Sequence, residues 1–206
     1  MKYLRWLAIT AIIPFCTINS SAQQPTCTQK QAPEFNGFRI GMTMPDVKGN
    51  LADSSMFDSK ISVGGNTGAQ AVRISGAELK DEHADGIDDM NLTFLDKRLA
   101  VVRATYHSGA GNWLGGQDFF KQLSEKLGLP QASASNSSGG RGGEKYRFAC
   151  TGFNIILAYS FGVSPSVTIA DAAAQKLIEE RSEKNPDGEV KDIRIAPVRR
   201  PQTRPR

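Results

Sequence analysis

The sequence predicts one α+β domain, with a largely antiparallel sheet of about five to seven strands and two or three helices packed mainly on one face. Three observations predict this class. Most candidate strands follow one another through short connections, which favours antiparallel pairing. Two segments carry clear helix start and stop signals. A hydrophobic fraction of 39% in 206 residues is enough for one core, and we expect the domain to cover residues 37–183.

The first element is a helix start in "GFRIGMTMPDVKGNL", residues 37–51. A short strand ends at Gly41, whose backbone freedom suits a turn. Thr43 fits the N-cap position, and Asp46, three residues later, is placed to complete a capping box. Pro45 falls in the first helical turn, where its missing N–H costs little. The stretch therefore predicts a short helix lying on the core.

The next elements form a hairpin after a glycine-rich stretch. Residues 59–70 predict a loop, residues 71–75 alternate as a strand, and residues 78–89 predict an acidic loop. "MNLTFL" then alternates between apolar and polar residues, and "RLAVVRATY" supplies a partner strand. The connection through Asp96 and Lys97 suits a tight turn, although the favoured glycine is absent.

The second helix is the clearest in the sequence, within residues 113–130. Its apolar stripe consists of Phe119, Phe120, Leu123 and Leu127. Gly128 is placed to end the helix, and Pro130 blocks continuation. A flexible glycine- and serine-rich loop follows, and then three strands within residues 145–170. Asp171 is the expected cap of a final, mostly polar helix.

The first 22 residues have the pattern of a secretory signal peptide. Lys2 and Arg5 precede an apolar run from Trp6 to Ile18, and small residues follow. The run is shorter than the about 20 residues that a membrane span needs. We therefore expect export to the periplasm or the medium, with cleavage after Ala22. Residues 23–36 then form an extended N-terminal segment.

Removal of the leader would change the number of cysteines available for pairing. Three cysteines become two, Cys27 and Cys150, because Cys16 lies within the leader. In an oxidising compartment an isolated pair of this kind predicts a disulfide. The alternative is two unrelated thiols. Neither cysteine lies beside a histidine or in a C-x-x-C motif, which argues against a catalytic thiol.

The net charge of +4 is concentrated at the two ends of the chain. Residues 23–183 hold 16 basic and 18 acidic residues, so the expected domain is slightly acidic. The C-terminal segment 184–206 is rich in arginine and proline and predicts a disordered tail. Basic tails sometimes bind anionic lipid, polysaccharide or nucleic acid, but the domain itself has no basic surplus that would predict nucleic-acid binding.

The acidic loop contains the only candidate metal ligands in a compact pattern. Asp81, His83, Asp85 and Asp88 lie around Gly86. The pattern has some features of a calcium loop, but histidine stands at the third position and leucine at the twelfth, where an EF-hand needs oxygen ligands. The alternative is a solvated turn. No other cofactor is predicted.

Other catalytic signals are sparse in this sequence. The glycine clusters lack the spacing of a phosphate-binding loop, and there is neither a G-x-S-x-G elbow nor an H-E-x-x-H motif. Two aromatic residues, Trp113 and Tyr106, are candidates for ligand or partner binding, and core packing is the alternative for both.

The helix start resembles that of a known family. "GMT" at Gly41, Met42 and Thr43, followed by Val47, resembles the opening of small exported bacterial proteins related to the BamE (SmpA/OmlA) family. The resemblance implies an α+β envelope domain that works by contact rather than by catalysis. This chain lacks a convincing lipobox and has one helix before its strands where the family has two, so a role in barrel assembly is not implied.

These observations together predict an exported, non-enzymatic protein that binds a protein or another component of the cell envelope. Two alternatives remain open. One is a hydrolase whose site is assembled from scattered residues, and the other is a module stabilised by calcium in the acidic loop.

Overall fold

A computed structural model describes residues 27–107, 116–130, 143–160 and 163–184. The predicted leader and most of the predicted basic tail lie outside these residues. The strands are β1 (Ser62–Gly64), β2 (Ala69–Ser75), β3 (Ile87–Leu95), β4 (Arg98–Tyr106), β5 (Gly143–Ala149), β6 (Phe153–Ser160) and β7 (Val163–Asp171). The α-helices are α1 (Met44–Lys48), α2 (Gly116–Lys126) and α3 (Ala172–Lys184). The predicted α+β class is confirmed.

The described strands form one antiparallel sheet in the order β1-β2-β3-β4-β7-β6-β5. Strands that are neighbours in sequence pair with one another, except at the centre, where β4 pairs with β7. In that central ladder Val102 lies opposite Ile169 and Ala104 opposite Val167. The two halves of the chain therefore meet in the middle of the sheet.

The β3–β4 hairpin shows how the chain turns without glycine. Asp96 and Lys97 have φ values of 48° and 67°, the left-handed conformation that a two-residue type I′ turn requires at both positions. A register shift after Thr93 leaves one extra residue, Ala100, between the pairs on β4. This bulge puts Ala100 on the face opposite Leu99 and increases the local twist.

One face of the sheet carries the main core, and it is covered by α1 and α2. Phe119 and Leu123 of α2, together with Val47 of α1, are buried in the same cluster as the inward side chains of the strands. The predicted stripe on α2 is buried as expected, and α2 ends as predicted. Gly128 has a φ of 63°, and the Leu129 N–H donates to the Ser124 carbonyl at 2.7 Å.

The third helix lies on the opposite face of the sheet. Its partly buried residues Ala174, Leu177 and Ile178 pack in a second, smaller cluster with Ala69, Leu95 and Ala100. The predicted cap is present, because the Asp171 carboxylate accepts a hydrogen bond from the Ala174 N–H at 2.8 Å. Two of the three described helices therefore share one face, and α3 covers part of the other.

Two predicted loops are partly strand. The glycine-rich stretch 59–70 contains β1 and the start of β2, and β3 begins at Ile87, inside the stretch expected to be an acidic loop. β1 is only three residues long and pairs with one neighbour, so its sequence did not need to alternate. Ile87 is buried, and its pairing with Tyr106 draws the acidic residues beside it into the ladder.

The capping box at the helix start is built as the sequence predicts, but the predicted strand before Gly41 is wrong, because residues 37–40 form turns with only an isolated bridge between Phe35 and Phe38. The Thr43 N–H and hydroxyl donate to the Asp46 carboxylate at 2.9 and 2.7 Å, and the Asp46 N–H donates to the Thr43 hydroxyl oxygen at 3.4 Å. These bonds, with the Thr43 hydroxyl first among the causes, lower the pKa of Asp46. Val47 then enters the core, so the capping box sets the direction in which the chain packs.

A second capping box predicts acid sensitivity. The Ser75 N–H and hydroxyl donate to the Glu78 carboxylate at 2.9 and 3.1 Å, and Lys60 forms an ion pair with the same side chain. The hydrogen bond from Lys60, and then that from the Ser75 backbone, lowers the pKa of Glu78 from its ordinary value of 4.5. A carboxyl group whose pKa is lower in the folded protein stabilises the fold at pH values above its ordinary pKa. That stabilisation is lost as the pH falls through the folded-state pKa.

We therefore expect Glu78→Gln to lower the free energy of unfolding at pH 7 and to have progressively less effect as the pH falls below 4.5. Urea denaturation at several pH values measures this difference. Glu125→Gln, at an exposed position on α2, is the control and should follow the wild type at every pH. A Glu78→Gln effect of constant size down to pH 2 would contradict the expectation.

Candidate functional site

A cleft of about 720 Å³ lies at the end of the sheet where β4 and β6 begin and β7 ends. We call it the end cleft, and its lining includes Lys30, Arg39, Ile40, Met42, Arg98 and Phe153. One wall is formed by the N-terminal segment, by the residues that lead into α1 and by Asp46 of α1. The other wall is formed by the strand ends and the turn before β6.

The N-terminal wall is fastened to the sheet by a disulfide between Cys27 and Cys150, with 4.7 Å between their Cα atoms. The predicted pair is thus joined in the structure. Gln29 adds a second attachment, because its side-chain amide donates to the carbonyl of Gly128, after α2, at 3.1 Å. Phe35 and Phe38 are buried in the main core and bond to each other through their backbones. The wall is therefore held along its length.

Gly41 and Met42 of the "GMT" helix start are part of this wall. Gly41 has a φ of 90°, which favours glycine, and a Cβ at this position would have no atom within 4 Å. Glycine is therefore favoured at position 41 by the backbone conformation and not by a lack of space for a side chain. The Gly41 N–H donates to Leu99, the Leu99 N–H donates to Met42, and the Arg98 guanidinium donates to the Gly41 carbonyl at 3.0 Å. These bonds seat the segment on the start of β4.

The charges around the end cleft are unequally engaged. Lys30, Arg39 and Arg98 are exposed. The carboxylates of Asp46 and Asp171 accept hydrogen bonds within the capping box of α1 and at the start of α3. The basic side chains therefore present most of their donors to solvent, while the two acids serve helix starts. The lining thus has three cations and two carboxylates, and this small excess of positive charge favours ligands with an anionic group.

The floor of the end cleft is apolar. Ile40 and Met42 are partly buried against the main core, and Phe153 is buried. Methionine is unbranched and adapts its shape to different contacts. An apolar floor beneath a cationic rim can bind an extended ligand with both apolar and acidic groups, such as a peptide segment.

The candidate calcium residues do not form one cluster. Asp81 and His83 lie in a single 3₁₀ turn, and the His83 ring packs against Gly37 and Phe38, with its centroid 6.5 Å from that of Phe38. The His83 side chain is only 17% exposed. In the described part of the chain, no group of three or more histidine, cysteine or acidic side chains is placed to hold a metal.

Asp85 and Asp88 have other neighbours. The Asp88 carboxylate lies 3.4 Å from Nδ1 of His107, at the far end of the β3–β4 hairpin. The charge of Asp85 acts on the hydroxyl of Tyr106. The calcium site stays a prediction from the sequence.

The two aromatic candidates have different outcomes. Tyr106 is 3% exposed, and its ring contacts Phe119 edge-on with 6.0 Å between ring centroids. Burial, and then the nearby charge of Asp85, raise the pKa of its hydroxyl well above the usual range. Tyr106 thus packs in the core, the alternative given by the sequence. Trp113 lies outside the described residues.

Sequence reasoning did not identify the basic residues of the end cleft. Lys30, Arg39 and Arg98 come from three separate segments, and no local pattern connects them. One signal was present, however. A disulfide between Cys27 and Cys150 already requires the N-terminal segment to lie beside the end of the strand that precedes Cys150.

No protein-family model, curated protein or solved structure matches this chain. The resemblance to BamE-related proteins therefore stays a prediction from Gly41, Met42, Thr43 and Val47. Among the described residues, no helix combines the length and the apolar character needed to cross a membrane.

Proposed function

We propose that this chain is an exported, non-enzymatic interaction protein of the cell envelope, periplasmic or secreted, that holds a segment of a partner protein in the end cleft. The predicted leader supports export, and a Cys27–Cys150 disulfide fits an oxidising compartment. The resemblance at the "GMT" helix start supports an envelope role exercised by contact. Two of its four residues, Gly41 and Met42, also line the end cleft, so the resemblance and the candidate site overlap in part.

The observation that carries the proposal is the fixed wall of the end cleft. Binding costs less when the groups that contact the ligand are already held in place. Here the disulfide, the Gln29 bonds and the backbone bonds to the start of β4 hold that wall before any partner arrives.

The chemistry of the cleft favours an acidic partner segment. Lys30, Arg39 and Arg98 supply N–H donors around the rim, and Ile40 and Met42 supply apolar contact area. Acidic side chains on the partner would meet the rim, while an apolar side chain would lie on the floor. Rim charges of this kind mainly raise the rate of association and its sensitivity to salt.

Site-specific photo-crosslinking in the native envelope tests this proposal. A photoreactive residue is placed at Thr151 or Gln31, both in the cleft lining, and at Lys121 on the exposed face of α2 as a control. We expect the two cleft positions to capture the same protein and the control position not to capture it. Equal capture from all three positions, or none from the cleft, would contradict the proposal.

Charge reversal gives the matched functional test. Arg39→Glu should weaken capture from Thr151 at least tenfold, because it removes a rim cation and adds a repulsive charge. Lys121→Glu makes the same charge change away from the cleft and should leave capture unchanged. Labelling of the purified protein by a broad hydrolase probe would instead favour the enzyme alternative.

A further inference from the structure

A row of mostly polar residues crosses the sheet on the side that α3 covers in part. Val102 and Ala104 of β4 point into the main core, so Arg103 between them faces the opposite side. The pairings place Arg103 opposite Asn91 on β3 and Thr168 on β7. The row continues outward to Arg73 on one flank and to Ile156 and Arg147 on the other.

Arg103 stands at the middle of this row, and none of the acidic side chains that the structure describes forms an ion pair with it. No ion pair or side-chain hydrogen bond joins it to another described residue, and its Nε atom is buried without a hydrogen-bond partner. A buried donor of a charged group is costly to leave unpaired. Arg103 as a whole is only partly buried, and an anionic oxygen would supply the acceptor that its guanidinium lacks among the described residues.

The nearest acid in the register is already engaged. Asp89 lies on β3 opposite Thr105, two pairs along from Arg103 and on the same face. One of its carboxylate oxygens is 3.0 Å from the Arg73 guanidinium, and the other accepts from the Asn91 amide at 2.8 Å. Asp89 is therefore paired with Arg73, and within the described ranges no carboxylate forms an ion pair with Arg103.

The surroundings of Arg103 suit a bound oxyanion. Thr168 lies directly opposite it and Thr105 two positions along its own strand, so both hydroxyls are on the same face. Side chains at paired positions are about 5 Å apart at Cβ, which is within reach of one shared small group. A guanidinium with flanking hydroxyl donors is a common arrangement for phosphate and carboxylate groups.

We propose that Arg103, with Thr105 and Thr168, forms a binding site for the phosphate or carboxylate group of a ligand on the α3 side of the sheet. The site is separate from the end cleft and does not depend on the function proposed for it. The guanidinium N–H groups of Arg103 donate to oxygens of the anionic group, and the threonine hydroxyls donate to the same group. Arg73 keeps Asp89 from occupying the site.

The test follows the arginine Nε–H signals of the exported protein by NMR. Inorganic phosphate and succinate are titrated separately, with sodium chloride at matched ionic strength as the reference. We expect the Arg103 Nε–H signal to shift and saturate with at least one of the two anions and not with chloride. Saturation with phosphate alone identifies a phosphate ligand, and saturation with succinate alone identifies a carboxylate. A shift that grows linearly with every salt would overturn the proposal.

Substitutions separate specific binding from general charge. Arg103→Gln should abolish saturable binding, and Arg103→Lys should weaken it at least tenfold, because lysine keeps the charge but lacks the two-pronged donor geometry. Arg147→Gln, on the same face three strands away, is the matched control and should bind as the wild type does. Equal loss in Arg147→Gln, or full binding by Arg103→Lys, would overturn the proposal. The titration of the wild type decides the question even if a variant does not fold.

Discussion

Replacement of Cys27 and Cys150 together by serine is expected to lower the free energy of unfolding by about 4–5 kcal/mol. The disulfide joins residues 123 positions apart, so its loss restores a large amount of freedom to the unfolded chain. The N-terminal segment would also lose its covalent attachment. We therefore expect the double variant to lose the end cleft as well as stability.

Chemical denaturation of the protein with its disulfide formed measures this effect. A reducing agent should lower the stability of the wild type to that of the double variant and should leave the double variant unchanged. Photo-crosslinking from Thr151 should fail in the double variant at temperatures where its sheet is still folded. An unchanged denaturation midpoint in the double variant would show that the crosslink contributes little.

The second large effect is expected in α2. Phe119→Ala should lower the free energy of unfolding by about 3–5 kcal/mol, because it leaves a cavity at a fully buried position. The Phe119 ring contacts Phe120, Tyr106 and Tyr159, with centroid distances of 5.5, 6.0 and 6.0 Å. Phe119 is thus the point at which α2 packs on the sheet.

Guanidinium denaturation with the disulfide intact measures this loss. Lys121→Ala, two residues along the same helix and exposed, is the control and should change stability by no more than about 0.5 kcal/mol. Phe119→Leu should recover part of the loss, because it refills part of the volume. A loss below about 1 kcal/mol for Phe119→Ala would mean that α2 is not part of the cooperative core.

Local patterns in the sequence predicted most of the fold. The capping box of Thr43 and Asp46, the stripe on α2 and the stop at Gly128 each depend on residues a few positions apart, and the structure contains all three. The hairpin turn at Asp96 and Lys97 was predicted from its length alone. Its left-handed backbone shows that register and strand twist outweigh the missing glycine.

Features that depend on distant residues were not predictable in the same way. The pairing of β4 with β7 and the position of α3 on the second face follow from how the two halves of the chain meet. β1 was missed because a three-residue edge strand has too few residues to show a period.

The candidate sites also differ in whether local sequence patterns could predict them. The end cleft combines residues from the N-terminal segment, β4 and the turn before β6, so only the disulfide gave advance notice of it. Arg103 had a local signal that was not used. It is a charged residue inside "RLAVVRATY", a strand with apolar neighbours, and strict alternation already puts it on the face opposite Val102 and Ala104.

The central β4–β7 ladder also bears on the order of folding. β1–β4 and β5–β7 each consist of strands paired with their sequence neighbours. Each half can therefore start from local β-hairpins, which form within about 1–10 microseconds. Joining the halves closes a much longer loop and is therefore expected to set the overall rate. Cys27 precedes the first half and Cys150 lies within the second, so in the oxidised chain the disulfide links the two halves that the β4–β7 pairing must join. Refolding should accordingly be faster with the Cys27–Cys150 disulfide intact than after its reduction.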